Sequence, residues 1–292
     1  MIGGFLLSDS NDSVAVEFDD VWFEYDKEPV LQGVSFKIKK GLNVAIMGEN
    51  GSGKTTLLRC LIGVIRPTKG KIIIDGVDSR KSSVAEIARK VGIVFQNPDH
   101  QLFSKTVSEE LAFGPRNIGV PEESIPERVN SALDALNILE YAENSPFLLS
   151  EGERRRVAIA SILTMDPDMI CFDEPSLGQD SYAKKRFGEL LSRLSSQGKT
   201  TIIVSHDVDF VSENIPWTIV LSRGQIKANG PTEEILTDTK LMDKCGLGTP
   251  PIVEFASYYR KFDKNFPKTT IREKEVLEYF LHKKTTNNNN VI

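Results

Sequence analysis

Residues 48–56 read Gly-Glu-Asn-Gly-Ser-Gly-Lys-Thr-Thr, and no other stretch restricts the fold as much. They fit the spacing G-x-x-x-x-G-K-S/T of a loop that cradles phosphates. Glycines at this spacing let successive backbone N–H groups turn inward and form an anion nest. Gly48, Glu49, Asn50, Gly51, Ser52, Gly53, Lys54, Thr55 and Thr56 are therefore the candidate nucleotide contacts. Lys54 can reach the β- and γ-phosphates, and the Thr55 hydroxyl can ligate Mg²⁺. The flanks suit such a loop. Leu42–Met47 is an apolar, strand-like run, and Thr55–Ile62 can be a helix whose N-terminus faces the phosphates. A Gly-rich turn without a ligand would leave both flanks unexplained.

The surrounding pattern is α/β. Val14–Phe18 and Val34–Ile38 read as antiparallel strands, and Lys71–Ile74 and Val91–Phe95 as further strands. Ser83 and Glu86 have capping-box spacing at the start of a short helix, and so do Thr106 and Glu109. Residues 97–165 read mainly as helix, with Val129, Leu133 and Leu136 on one face of a helix starting near Pro126. Met169–Phe172 and Thr201–Val204 are short, fully apolar runs of the kind buried in a parallel sheet. Asp180–Ser196 is an amphipathic helix ended by Gly198. Alternating strands and helices imply a sheet with helices on both faces. Met1–Ser13 reads as a flexible leader, residues 14–240 as the main domain with a helical insertion at about 97–165, and 241–284 as a helical extension. Thr285–Ile292, with its run of Asn, reads as a disordered tail.

Composition excludes several classes. The net charge is −5 and no long Lys/Arg block occurs, so nothing points to nucleic acid. Cys60, Cys171 and Cys245 are scattered, a reduced pattern rather than a disulfide framework. Met1–Leu7 lacks a basic region before its short apolar run, and no stretch is long and apolar enough to span a membrane. A role at a membrane would have to come through partner chains.

Met169-Ile-Cys-Phe-Asp-Glu174 is an apolar strand ending in two carboxylates. Alone it is compatible with a solvated turn. Beside a phosphate loop, Asp173 can supply the hard oxygen that Mg²⁺ needs, and Glu174 can polarise a water for in-line attack on the γ-phosphate. Ser150 and Glu153, in Leu149-Ser-Glu-Gly-Glu153, have capping-box spacing ahead of the helix Arg154–Leu163.

The order of these motifs resembles the ATP-binding subunit of ABC (ATP-binding-cassette) transporters. The resemblance covers roughly residues 14–236. It implies a P-loop NTPase (RecA-like) core of α/β class, with an antiparallel β subdomain, a helical signature subdomain and a small C-terminal helical extension. It implies ATP and Mg²⁺ as ligands. Ser150 and Gly152 match the signature that binds the γ-phosphate of ATP held by a second ATPase protomer. Glu151 stands where the family has Gly, and Glu153 where it has Gln. Facing outward, Glu151 favours the helix dipole by roughly 0.3–1 kcal/mol; facing the phosphates, it would weaken closure. Gln96 resembles the glutamine that touches Mg²⁺ and relays to the membrane partner. Asp180 resembles the aspartate that reaches across the dimer, and His206 the histidine on the γ-phosphate. Tyr25 resembles the aromatic residue that stacks on adenine, with Trp22 and Phe23 as nearby competitors.

Val94–Phe103, Thr106–Pro121 and Leu149–Ile162, with its three consecutive arginines, resemble the energy-coupling-factor importers and the related cobalt and nickel importers. That branch implies an ATP hydrolase at the cytoplasmic face of the membrane, held there peripherally. Its partners would be a second ATPase protomer, identical or a paralogue, a transmembrane coupling subunit and a small substrate-binding membrane subunit. The cargo would be a vitamin or a transition-metal ion. Asp99 is a candidate contact for basic coupling helices. The alternative is a soluble ABC-type ATPase not tied to transport. The stretch between loop and signature shows none of the sustained heptads expected of the DNA-repair type. The ribosome-acting type usually carries two cassettes, and this chain has one. A small-molecule kinase using the same loop would leave Ser150–Glu153 and His206 unexplained.

Overall fold

The computed structural model describes residues 13–288. The leader expected at 1–13 lies outside them except for Ser13. Strands β1 (Val14–Tyr25) and β2 (Glu28–Lys39) form an antiparallel hairpin. Its turn places Asp26 and Lys27 at φ 48° and 71°, the left-handed pair that a two-residue hairpin turn requires. Strand β3 (Asn43–Met47) then leads through the 48–53 loop into α1 (Lys54–Leu61). Next come β4 (Lys69–Ile74), β5 (Val77–Asp78), α2 (Val84–Ala88) and β6 (Val91–Val94). The helical insertion holds α3 (Val107–Ile118), α4 (Ile125–Ala135) and α5 (Glu151–Leu163). The chain returns through β7 (Met169–Asp173), α6 (Ser181–Ser196), β8 (Thr200–Ser205), α7 (Val208–Asn214), β9 (Trp217–Ser222) and β10 (Gln225–Pro231). Helices α8 (Thr232–Leu236), α9 (Thr239–Lys244), α10 (Pro251–Tyr259) and α11 (Glu273–Asn288) complete it.

The strands form two sheets. A four-stranded antiparallel sheet runs β2-β1-β4-β5, and a six-stranded sheet runs β10-β9-β3-β8-β7-β6. In the larger sheet only β10 is antiparallel to its neighbour. Every residue of β3 and β7 is buried, as expected of strands covered on both faces. Side-chain alternation divides them between two cores. Ala45, Met47, Ile170, Phe172 and Ile203 pack with the helical insertion, α6, α7 and the C-terminal helices. Val44, Ile46, Met169, Cys171, Ile202 and Val204 pack with α1 and the antiparallel sheet. The cysteines are core residues, and burial pushes the Cys60 thiol up to about 12.

The expected helix starts are mostly present. Ser83 and Glu86 form the reciprocal capping box, with Ser83 N donating to Glu86 Oε2 at 2.8 Å and Glu86 N to Ser83 Oγ at 3.2 Å. At α3 only half of the expected box exists. Glu109 N donates to Thr106 Oγ1 at 3.1 Å, but the returning carboxylate is that of the next residue, one step round the helix and buried. Glu110 accepts from Phe103 N at 2.9 Å and Ser104 N at 2.8 Å. It thereby ties the loop before α3 to the helix.

The C-terminal segment shares the helical-side core through Met242, Cys245, Leu247, Val253 and Ile271. Helices α10 and α11 meet through rings of Tyr259, Phe266, Tyr279 and Phe280. Helix α11 runs to Asn288, past Lys284, where composition puts the start of a disordered tail. Extending an existing helix costs far less than nucleating one. Residues 289–292 lie outside the described residues.

Glu110→Ala is expected to destabilise the fold by about 1–3 kcal/mol, because it strips the partner from two amides. A lowered urea midpoint at unchanged slope would show it.

Candidate nucleotide site

The loop between β3 and α1 has little freedom. A Cβ at Gly48 would lie 2.1 Å from Leu221 O and 2.6 Å from Ser52 Oγ, so no larger residue fits. Gly53, at φ 106°, is the N-cap of α1 and supplies no side-chain cap. The first amides of α1 are thus left for an anion, in line with the helix dipole. The loop is wedged from outside by the hairpin. Gly53 lies 3.0 Å, measured from its ideal Cβ, from both Val30 O and Leu31 Cδ2.

Lys54 folds back over this loop. Its Nζ donates to Gly48 O at 2.7 Å and Glu49 O at 2.9 Å. Burial lowers its pKa, and the charges of Glu174, Asp173 and Glu49 act the other way. Thr55 Oγ1 donates to Asp173 Oδ2 at 3.3 Å, which joins the start of α1 to the end of β7. Burial and the neighbouring Glu174 raise the Asp173 pKa.

Glu174 follows at φ 50°, a left-handed conformation that a non-glycine residue holds only when its surroundings impose it. Its amide donates to Val204 O at 2.9 Å, and its Oε1 meets His206 Nδ1 at 2.9 Å. His206 is 44% exposed at its side chain, Glu174 only 9%. Register explains the meeting. Met47 pairs with Ser205 and Asp173 with Val204, so the residues after β3, β7 and β8 emerge at one edge. Ligands of open parallel sheets bind at this edge.

Gln96 emerges at the same edge, two residues beyond Val94, which pairs with Phe172. It is exposed. The neighbouring Gln101 is committed instead: its Nε2 donates to Ala158 O at 2.8 Å and Ser161 Oγ at 3.1 Å. Tyr25 ends β1, 42% exposed and edge-on to Phe23 with centroids 4.8 Å apart. Of its competitors, Phe23 is buried, and the Trp22 indole donates to Asp20 at 2.7 Å. Tyr25 is the most exposed ring of the three.

Ser150, Gly152 and Asp180 bond locally and not to this cluster. Ser150 caps α5 in a full capping box, with Ser150 N donating to Glu153 Oε2 at 2.7 Å and Glu153 N to Ser150 Oγ at 3.4 Å. Nothing lies within 4 Å of the space a Gly152 side chain would take. Asp180 Oδ1 accepts from Ala183 N at 2.7 Å and caps α6. Glu151 faces outward, 68% exposed, and pairs with Arg155 at 3.3 Å. Asp99 pairs with Arg154 Nε at 3.0 Å.

Sequence reading missed Arg155, which is buried and donates to Pro175 O at 3.0 Å and Leu177 O at 2.7 Å. The signal was present: helical spacing from Ala158, Ile159 and Ile162 puts one arginine of the run on the buried side. It also missed the approach of the C-terminal segment to the loop. An ideal Cβ on Gly246 would lie 2.9 Å from Glu49 Oε2.

The donor set suits a hard divalent cation. Asp173 Oδ1 is buried without a hydrogen-bond partner, beside the Thr55 hydroxyl on Oδ2. Among the described residues no cluster of three or more His, Cys, Asp or Glu could hold a metal alone. A site with few protein oxygens, completed by phosphate and water, is the usual arrangement for Mg²⁺.

Comparison with known proteins agrees with this geometry. The family model described as ABC transporter matches residues 31–177. The chain is 41% identical over 248 residues to the energy-coupling factor transporter ATP-binding protein EcfA of Methanothermobacter thermautotrophicus, covering 84% of this chain and 80% of that one. Among solved structures, cbiO1 from Clostridium perfringens, part of the ABC transporter complex cbiONQ, superposes with a TM-score of 0.73 at 31% identity, covering 84% of this chain and 99% of that one. A dimeric ATP-binding cassette in a post-hydrolysis state, bound to ADP and Pi, matches with a TM-score of 0.67 at 27% identity, over 74% of this chain and 98% of that one. The antiparallel sheet, the P-loop NTPase core and the phosphate loop, taken with these relatives, establish that the chain belongs to the ABC transporter family as one of its ATP-hydrolysing subunits.

Proposed function

We propose that this chain is the ATP-hydrolysing energy-coupling subunit of an importer for a vitamin or a transition-metal ion. In this reading it works as one of two ATPases on a transmembrane coupling subunit, with a small membrane subunit that captures the cargo. It sits peripherally at the cytoplasmic face of the membrane; among the described residues no helix is long and apolar enough to cross one. Residues 14–240 act as the ATP-binding domain and 241–284 as an extension. The observation that carries the reading is the hydrogen-bonded run Thr55–Asp173 and Glu174–His206 beside Lys54. Likeness to EcfA and cbiO1 supports the importer branch.

In the proposed cycle, adenine stacks on Tyr25 and the 48–56 backbone wraps the phosphates, with Lys54 turning from its loop carbonyls to the β- and γ-phosphates. Thr55 and Asp173, with Gln96, hold Mg²⁺, which would neutralise charge shared by the phosphates. Ser150 and Gly152 close over ATP held by the partner protomer, and Asp180 reaches toward the same junction. Glu174, its Oε1 steadied by His206, keeps Oε2 for an attacking water; that oxygen is buried and unpartnered. The water oxygen bonds to the γ-phosphorus as the bond to the β–γ bridging oxygen breaks. His206 keeps Nε2 for the γ-phosphate. Closure excludes water, and loss of the γ-phosphate reopens the pair.

Substitutions at three positions test the assignment. Glu174→Gln is expected to retain ATP binding, lower turnover on the order of a hundredfold or more, and trap an ATP-bound dimer on size exclusion; unchanged hydrolysis would overturn the role. Lys54→Ala is expected to weaken ATP about tenfold or more, since a charge-assisted contact is lost; calorimetry reads this, and wild-type affinity would count against the loop. Tyr25→Ala is expected to cost about 1–3 kcal/mol of nucleotide affinity, and Tyr25→Phe much less. Equal affinities for all three would remove Tyr25 from the site.

A further inference from the structure

The run Arg154–Arg156 contains one arginine that the fold takes inside. Arg155 is 7% exposed, and burial lowers its pKa. A buried guanidinium is costly unless its donors are used. Here Nη1 spans Pro175 O and Leu177 O, at 3.0 and 2.7 Å, and Nη2 meets Glu151 Oε1 at 3.3 Å, while Nε is buried without a partner. The two carbonyls flank Ser176, in the loop that follows Glu174.

Apart from these contacts, the bond of Glu174 N to Val204 O at 2.9 Å and the burial of Pro175 and Ser176, only turns fix that loop. Its own turns are long: Leu177 N to Glu174 O at 3.3 Å and Gln179 N to Ser176 O at 3.2 Å. Yet it must hold Glu174 in a left-handed conformation with Oε1 on His206. Such a conformation persists only where the surroundings over-determine it. The other end of the Arg155 contacts is the signature turn. Glu151 lies between Ser150 and Gly152, and the Ser150–Glu153 capping box fixes its backbone. One side chain thus spans from the signature turn to the loop that follows Glu174.

We propose that Arg155 is a positioning residue through which the signature turn sets the aim of Glu174 in the same chain. The inference rests on the reading above, in which Ser150 and Gly152 close over the partner's ATP. Closure at one ATP then pulls on the first turn of α5, Arg155 carries the shift to Pro175 and Leu177, and Glu174 at the other ATP is brought into line. Glu151, where the family has Gly, gains a purpose: it is the outer anchor of Arg155. With its carboxylate largely exposed, the pair adds little energy by itself, so Glu151 orients the guanidinium rather than holding the loop.

The test uses the full-length chain, compared with Arg155→Met, which keeps an unbranched stem but has no donor. Nucleotide affinity and KM are expected to stay within about twofold, because Arg155 touches no nucleotide, while kcat falls on the order of tenfold to a hundredfold through a misaligned carboxylate. The Hill coefficient for ATP is expected to fall from about two toward one, since the link between sites is cut. A wild-type kcat and Hill coefficient would overturn the proposal. A lower kcat with an unchanged Hill coefficient would also overturn it, leaving Arg155 a local prop. If Arg155→Met does not melt cooperatively, Arg155→Gln carries the same comparison with the same criteria. Turnover that survives Glu174→Gln in the otherwise wild-type chain would instead overturn the role of Glu174 in the reading beneath the proposal.

Discussion

The parallel register of β3, β8 and β7 is the constraint on which the rest depends. Met47 opposite Ser205, and Asp173 opposite Val204, bring the ends of the three strands to one edge. Lys54, the adjacent pair Asp173 and Glu174, and His206 are far apart in sequence and meet only because of it. A one-residue slip would exchange every side chain between faces. The two cores forbid that, because each strand contributes residues to both. The same alternation that buries apolar surface therefore also sets the positions of the reactive groups.

Much of this was legible in the chain. The phosphate loop, its strand and its helix were found from local spacing, because glycine conformation and helix capping are local properties. The capping boxes at Ser83 and Ser150 were found for the same reason. The failure at α3 is instructive. Spacing nominated Glu109, but the loop ahead of the helix approaches from the side of Glu110, and only tertiary packing decides that. Asp99 likewise looked free for a basic partner, yet Arg154, distant in sequence, is beside it. Arg155 was hidden in a basic run, where charge suggests solvent and helical phase says otherwise.

Electrostatics and strain coincide at the end of β7. Asp173 and Glu174 are both 7% exposed, so two carboxylates share a confined space. Burial and mutual repulsion raise the Asp173 pKa, and Lys54 is the nearby cation. The arrangement is poised for added positive charge, which a divalent cation would supply. Glu174 also carries a left-handed backbone. Functional strain of this kind is held by neighbours rather than by its own preferences.

The contact between Gly246 and Glu49 has a consequence for how the chain is divided. Residues 241–284 look like an appendage in sequence, yet a glycine there abuts the second residue of the phosphate loop. Cys245 and Leu247, on either side, are buried in the helical-side core. The extension thus packs directly against the Glu49 side chain of the phosphate loop. A substitution at Gly246 that adds a side chain would therefore displace Glu49, one residue from the first glycine of the loop.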